Sequence, residues 1–149
     1  MTISAAKTWF ITGATRGLGA AIAQEALASG DKVVVTGRSL SALQQCYAPT
    51  PNLLMLELDV CSSAQIEAAI QQAFRHFGRI DVLVNNAGYG QLDVFEQVTA
   101  QQVRQQFETN VFGLISVTRA VLPYMRQQRS GQIYNLSSIG GAIGFAAAS

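Results

Sequence analysis

Short apolar, β-branched runs alternate with longer helical patterns along all 149 residues of this chain, and that alternation leaves few folds open. Trp9–Ile11, Lys32–Thr36, Leu53–Leu56, Ile80–Val84 and Gln132–Leu136 read as strands. Near-continuous apolar runs of this length suit a parallel sheet covered on both faces. A first helical pattern (Leu18, Ala21, Ile22, Leu27) runs to Gly30. A second opens on the capping box Ser62–Gln65, carries Ile66, Ile70, Ala73, Phe74 and Phe77 at helical spacing, and stops at Gly78. A third opens on the capping box Thr99–Gln102 and runs as one long helix, with Val103, Phe107, Val111, Leu114, Val121 and Met125 on or near one stripe. Pro123 is expected to kink or end it. Strand and helix in strict order predict one doubly wound, parallel α/β sheet with helices on both faces.

The first strand runs directly into Thr12-Gly-Ala-Thr-Arg-Gly-Leu-Gly19, with a helix behind it. Glycines at such a junction let the chain turn off the strand, let backbone approach a pyrophosphate, and let helix pack near strand. The helix N-terminus adds free N–H groups and a positive dipole end. A glycine cluster alone would serve as a plain turn; its position between first strand and helix points to a dinucleotide site.

The bulk numbers exclude other classes. Ten basic and nine acidic residues are interspersed, for a net charge of +1, so nothing resembles a nucleic-acid footprint. No apolar run approaches the ~18 residues of a membrane span, and Met1–Lys7 lacks the form of a signal peptide. Cys46 and Cys61 match no metal or redox spacing and read as reduced thiols, which predicts a cytoplasmic address and no metal. His76, the single histidine, has no partner at metal spacing and reads as surface. Trp9 reads as core or sheet-face packing.

The glycines Gly13, Gly17 and Gly19 follow T-G-x-x-x-G-x-G, a spacing that resembles the short-chain dehydrogenase/reductase family. Further motifs carry the resemblance: Asp59-Val60 after the third strand, Asn85-Asn-Ala-Gly88 after the fourth, Asn110 within Thr109–Gly113, and Asn135–Gly141. It covers essentially the whole chain. It implies a Rossmann-type dinucleotide-binding domain over residues 1–149 and an oxidoreductase passing hydride between a nicotinamide cofactor and a carbonyl or alcohol substrate. Cofactor contacts are then implied for Thr12, Gly13, Thr15, Arg16, Gly17, Leu18 and Gly19, for Asp59 and Val60 near the adenine, and for Asn86, Ala87 and Gly88.

Strand two ends Val35-Thr-Gly-Arg38, without the acidic residue that would bind the ribose 2′-hydroxyl of NAD. Arg38, with Arg16 as a second positive contact, suits a 2′-phosphate instead, so NADP is expected in preference to NAD. Both would otherwise be ordinary solvated arginines.

The resemblance also implies four catalytic roles. Ser138, three residues before Gly141, takes that of the serine bonding the substrate oxygen, with Ser137 as its near competitor. Asn110 takes that of the asparagine ordering a proton-relay water. Tyr89 either lines the substrate side or packs against its loop. The remaining pair, a Tyr-x-x-x-Lys, maps onto nothing: four residues beyond Tyr47, Tyr89, Tyr124 and Tyr134 stand Pro51, Asp93, Gln128 and Ser138. By family spacing the tyrosine falls about a dozen residues past the serine, just beyond Ser149, and Gly140–Ser149 reads as its lead-in. The expectation is therefore a fragment lacking the C-terminal strands, and inactive as it stands. The alternatives are a catalytically inactive NADP(H)-binding module and a non-functional gene remnant.

In the family's intact fold the fifth strand is central and the long helix packs at a homo-oligomer interface. With strand five as an edge and that helix uncovered, the chain should self-associate. Sedimentation velocity is expected to show oligomers; a monodisperse monomer would contradict this.

Overall fold

The computed structural model describes residues 5–91 and 93–138. Five parallel strands, β1 (Thr8–Ile11), β2 (Lys32–Gly37), β3 (Leu53–Glu57), β4 (Val82–Asn85) and β5 (Gln132–Asn135), form one sheet in the order β3-β2-β1-β4-β5. Five α-helices accompany them: α1 (Gly17–Ala28), α2 (Leu40–Cys46), α3 (Ser63–Phe77), α4 (Ala100–Phe107) and α5 (Leu114–Gln128). This is the doubly wound parallel architecture that the strand–helix alternation predicts. The order reverses between β1 and β4, which opens a crevice beyond their carboxyl ends.

Successive residues of the central strands enter opposite cores, which is why their runs are continuously apolar. Phe10, Val34 and Leu83 pack with Ile66, Ile70 and Ala73 of α3 and Val117, Val121 and Met125 of α5. Ile11, Val33, Val35, Val82 and Val84 face the other way, with Ala23 and Ala26 of α1 and Leu43 of α2. β5 bonds only to β4 among the described residues, and of its four residues only Ile133 is half-buried.

Four expectations are corrected. The buried face of α1 is Gly19, Ala23 and Ala26, while Leu18 is 68% exposed, because only small residues allow this helix so close to the sheet. α2 is an additional helix, capped where the Ser39 hydroxyl accepts from Ala42 N–H. The box at the start of α3 is half formed: Ser62 Oγ accepts from Gln65 N–H, but the Gln65 side chain accepts from Asp59 N–H instead of turning back to Ser62. The long helix is not one α-helix, since a π-helical segment (Glu108–Gly113) separates α4 from α5. The wider turn shifts the register, so Val121 and Met125 are buried with Val117 whereas Phe107 and Val111 stay exposed. The box at Thr99 is complete, and α5 passes through Pro123 to Gln128 without ending there.

At the amino ends of the strands Asp81, 9% exposed, ties three strands together. Its carboxylate accepts from Thr8 N–H at 2.9 Å and pairs with Arg79 at 2.6 Å. Its backbone bonds Thr8 and Gln132. Replacing Asp81 with Ala strands a buried N–H beside a lost charge-assisted bond. A loss of about 3 kcal/mol is expected in urea denaturation.

Candidate functional site

The crevice at the carboxyl ends of the strands is an open cleft of about 1140 Å3. Gly13, Thr15, Arg16 and Gly17 form its floor, Gly37 and Arg38 one wall, Asp59 and Val60 another, and Asn86, Ala87 and Gly88 the side facing β4. Residues drawn from four separate stretches of sequence thus converge on one space.

The glycine loop is built for close approach. Gly13 has φ +66°, and a Cβ there would come within 2.8 Å of Ala87 Cα. A Cβ on Gly19 would strike the Asn86 carboxamide and come within 2.6 Å of the Gly13 carbonyl. These are cradles that any side chain would fill. Arg16, at the N-cap of α1, makes no side-chain cap bond, and the first amides of a helix have no intrahelical acceptor. Such a rim of free N–H groups fits a pyrophosphate.

Asn86 fastens this loop to β4. Its side-chain N–H groups donate to the carbonyls of Thr12 (2.9 Å) and Gly13 (2.8 Å). In return Thr12 Oγ1 accepts from the amides of Asn86 and Ala87, both at 3.0 Å. Thr12 is 2% exposed and does not line the cleft; it holds the loops that do. Leu18 and Gly19 are likewise absent from the lining.

Asp59 accepts from Cys61 N–H at 2.9 Å, which shapes the turn after β3. Arg16 and Arg38 are exposed, and among the described residues the single ion pair is Arg79–Asp81 at the opposite end of the sheet. Their positive charge is therefore available to the cleft. Glu57 pairs in register with Gly37 but is not part of the lining.

Asn110 lies in the π-helical segment, and its carboxamide is committed to one backbone. It accepts from Tyr89 N–H at 3.0 Å and donates to Tyr89 carbonyl at 2.7 Å, which fixes the loop after Gly88. Tyr89 lines the cleft with 41% of its surface exposed. Ser137 and Ser138 follow β5 and are exposed, outside the cleft lining. Gly141 and the 140–149 stretch lie outside the described residues.

Sequence reasoning missed Gln101, Arg104, Gln105 and Glu108, which line the cleft from one side of α4 and its π-helical extension. Their polar, helical spacing is that of any solvated face. It also missed Tyr47 and Cys46 at the end of α2. Tyr47 Oη donates to the Ala14 carbonyl at 2.6 Å, and Cys46 Sγ to the Thr15 carbonyl at 3.0 Å. Trp9 donates its indole N–H to Asp31, and both cysteines are free and exposed. Among the described residues no cluster could hold a metal ion, and no helix is long and apolar enough to cross a membrane.

Comparison with known proteins places these features in a family. The model of the short chain dehydrogenase family matches residues 7–149. Oxidoreductase BOA17 of Botryotinia fuckeliana is 42% identical over 140 residues, covering 93% of this chain and 51% of that protein. The 3-ketodihydrosphingosine reductase of Bacteroides thetaiotaomicron is 41% identical over 137 residues, covering 90% and 48%. A short-chain dehydrogenase from Streptomyces avermitilis superposes with a TM-score of 0.90 at 43% identity, covering 97% of this chain and 53% of that one. The chain belongs to the short-chain dehydrogenase/reductase family, whose members are oxidoreductases using NAD(P) cofactors. It spans about half the length of the curated relatives it matches.

Burial, with Cys46 nearby as a lesser cause, pushes the Tyr47 phenol from 10.0 up to about 12. The folded chain then holds this proton more tightly than the unfolded chain, so the contribution is intact below pH 10 and lost as pH rises towards 12. The urea midpoint should fall across that window, and Tyr47→Phe should blunt the fall.

Proposed function

We propose that the cleft binds NADP(H) and that the chain serves an oxidoreductase acting on a small carbonyl or alcohol substrate. The observation that carries the cofactor preference is Arg38, which stands on the cleft wall one residue past β2 without an ion-pair partner among the described residues. Arg16 adds a second guanidinium from the floor. Two such groups suit the doubly charged 2′-phosphate. An NAD site would instead place a carboxylate at the end of β2 for the 2′-hydroxyl.

Gly13, Gly17 and the first turn of α1 would hold the pyrophosphate, with Thr12 and Asn86 keeping that loop in place. Asp59 and Val60 would border the adenine, and Ala87 and Gly88 the segment beyond it. When bound, the nicotinamide supplies or accepts the hydride. Ser138 would offer its hydroxyl to the substrate oxygen. Asn110, through Tyr89, fixes the loop beside that space and takes the proton-relay role.

Fluorescence titration tests the assignment. NADPH should saturate the chain, and Arg38→Asp should weaken NADPH at least tenfold while leaving NADH nearly unchanged. Equal loss for both cofactors would remove the 2′-phosphate assignment.

A further inference from the structure

The end of α2 grips two successive carbonyls of the glycine loop. Tyr47 donates its hydroxyl to Ala14, and Cys46 its thiol to Thr15, across more than thirty residues of sequence. Tyr47 is 6% exposed and belongs to the same apolar cluster as Ala14, Ala26 and Leu43. Its ring is therefore fixed by packing, and its hydroxyl reaches the one polar group that satisfies it.

The consequence follows from peptide geometry. A trans peptide directs its N–H opposite to its C=O, and every described peptide here is trans. Turning the Ala14 and Thr15 carbonyls towards α2 turns the amides of Thr15 and Arg16 the other way. Neither amide finds an acceptor among the described residues. Thr15 and Arg16 both line the cleft.

We infer that Tyr47, with Cys46 beside it, is a positioning residue for the cofactor: by holding these two carbonyls it presents the amides of Thr15 and Arg16 to a phosphate of the dinucleotide. This rests on the reading of the cleft as an NADP(H) site. A purely structural tyrosine would fill the same apolar space but leave affinity untouched once its ring is kept.

Tyr47→Phe keeps the ring and removes only the hydroxyl. On the full 149-residue chain, titration calorimetry with NADPH and with adenosine 2′,5′-bisphosphate should show both dissociation constants raised about fivefold, the effect of one net hydrogen bond. Circular dichroism should show the fold retained. Cys46→Ala should raise both constants about twofold, and Cys46→Ser, which restores a donor, should return them to the parent value. A Tyr47→Phe chain that binds like the parent overturns the inference while leaving the NADP(H) assignment standing. A parent chain that binds neither probe overturns both. Should Tyr47→Phe fail to fold, the cysteine pair decides, and equal affinities for Cys46→Ala and Cys46→Ser overturn the inference.

Discussion

The Asn86 carboxamide, bonded to the carbonyls of Thr12 and Gly13, is the contact on which the site depends. Parallel strands β1 and β4 bring two loops side by side, but strand pairing alone stops at Ile11 and Val84. Beyond that point the backbone groups of both loops need other partners, since buried polar groups left unpaired are costly. Asn86 and Thr12 supply them reciprocally, and the absence of a side chain at Gly19 leaves room for the carboxamide. The glycine at position 19 is thus explained by an internal bond.

The molecule separates its polar tasks by end. At the amino ends of the strands Asp81 and Arg79 neutralise one another and fasten β1, β4 and β5. Gln128 closes the same end by bonding both backbone groups of Ile80. At the carboxyl ends Arg16 and Arg38 form no ion pair among the described residues, and Asn86, Asn110 and Tyr47 bond backbone. Charge is paired at one end and, among the described residues, left without an ion-pair partner at the other.

How much of this the sequence disclosed depends on the range of the interaction. The strands were legible because Phe10, Val34 and Leu83 alternate with equally apolar neighbours serving a second core. Gly13 and Gly17 of the glycine motif, with Asp59 and Asn86, do line the cleft, whereas Asn110 is outside its lining. α2 escaped notice because Leu40–Cys46 is two turns long, with only Leu43 buried. The π-helical segment has no periodic signature, so Phe107 and Val111 read as core. Tyr47 and Cys46 act through bonds to residues over thirty positions away, and nothing local announces such a partner.

The span of the Asn86 contact bears on the order in which the molecule acquires its parts. Strands β1, β2 and β3 are consecutive, each joined to the next through one helix, so half of the sheet assembles from neighbouring chain. The bond from Asn86 to Thr12 joins residues 74 apart and closes a loop containing strands β2, β3 and β4 and three helices. Loop-closure entropy grows with that length, and contacts of long span are met late in folding. The cleft therefore depends on a closure of long sequence span. Any ligand seated there would add its binding energy to a contact of long sequence span.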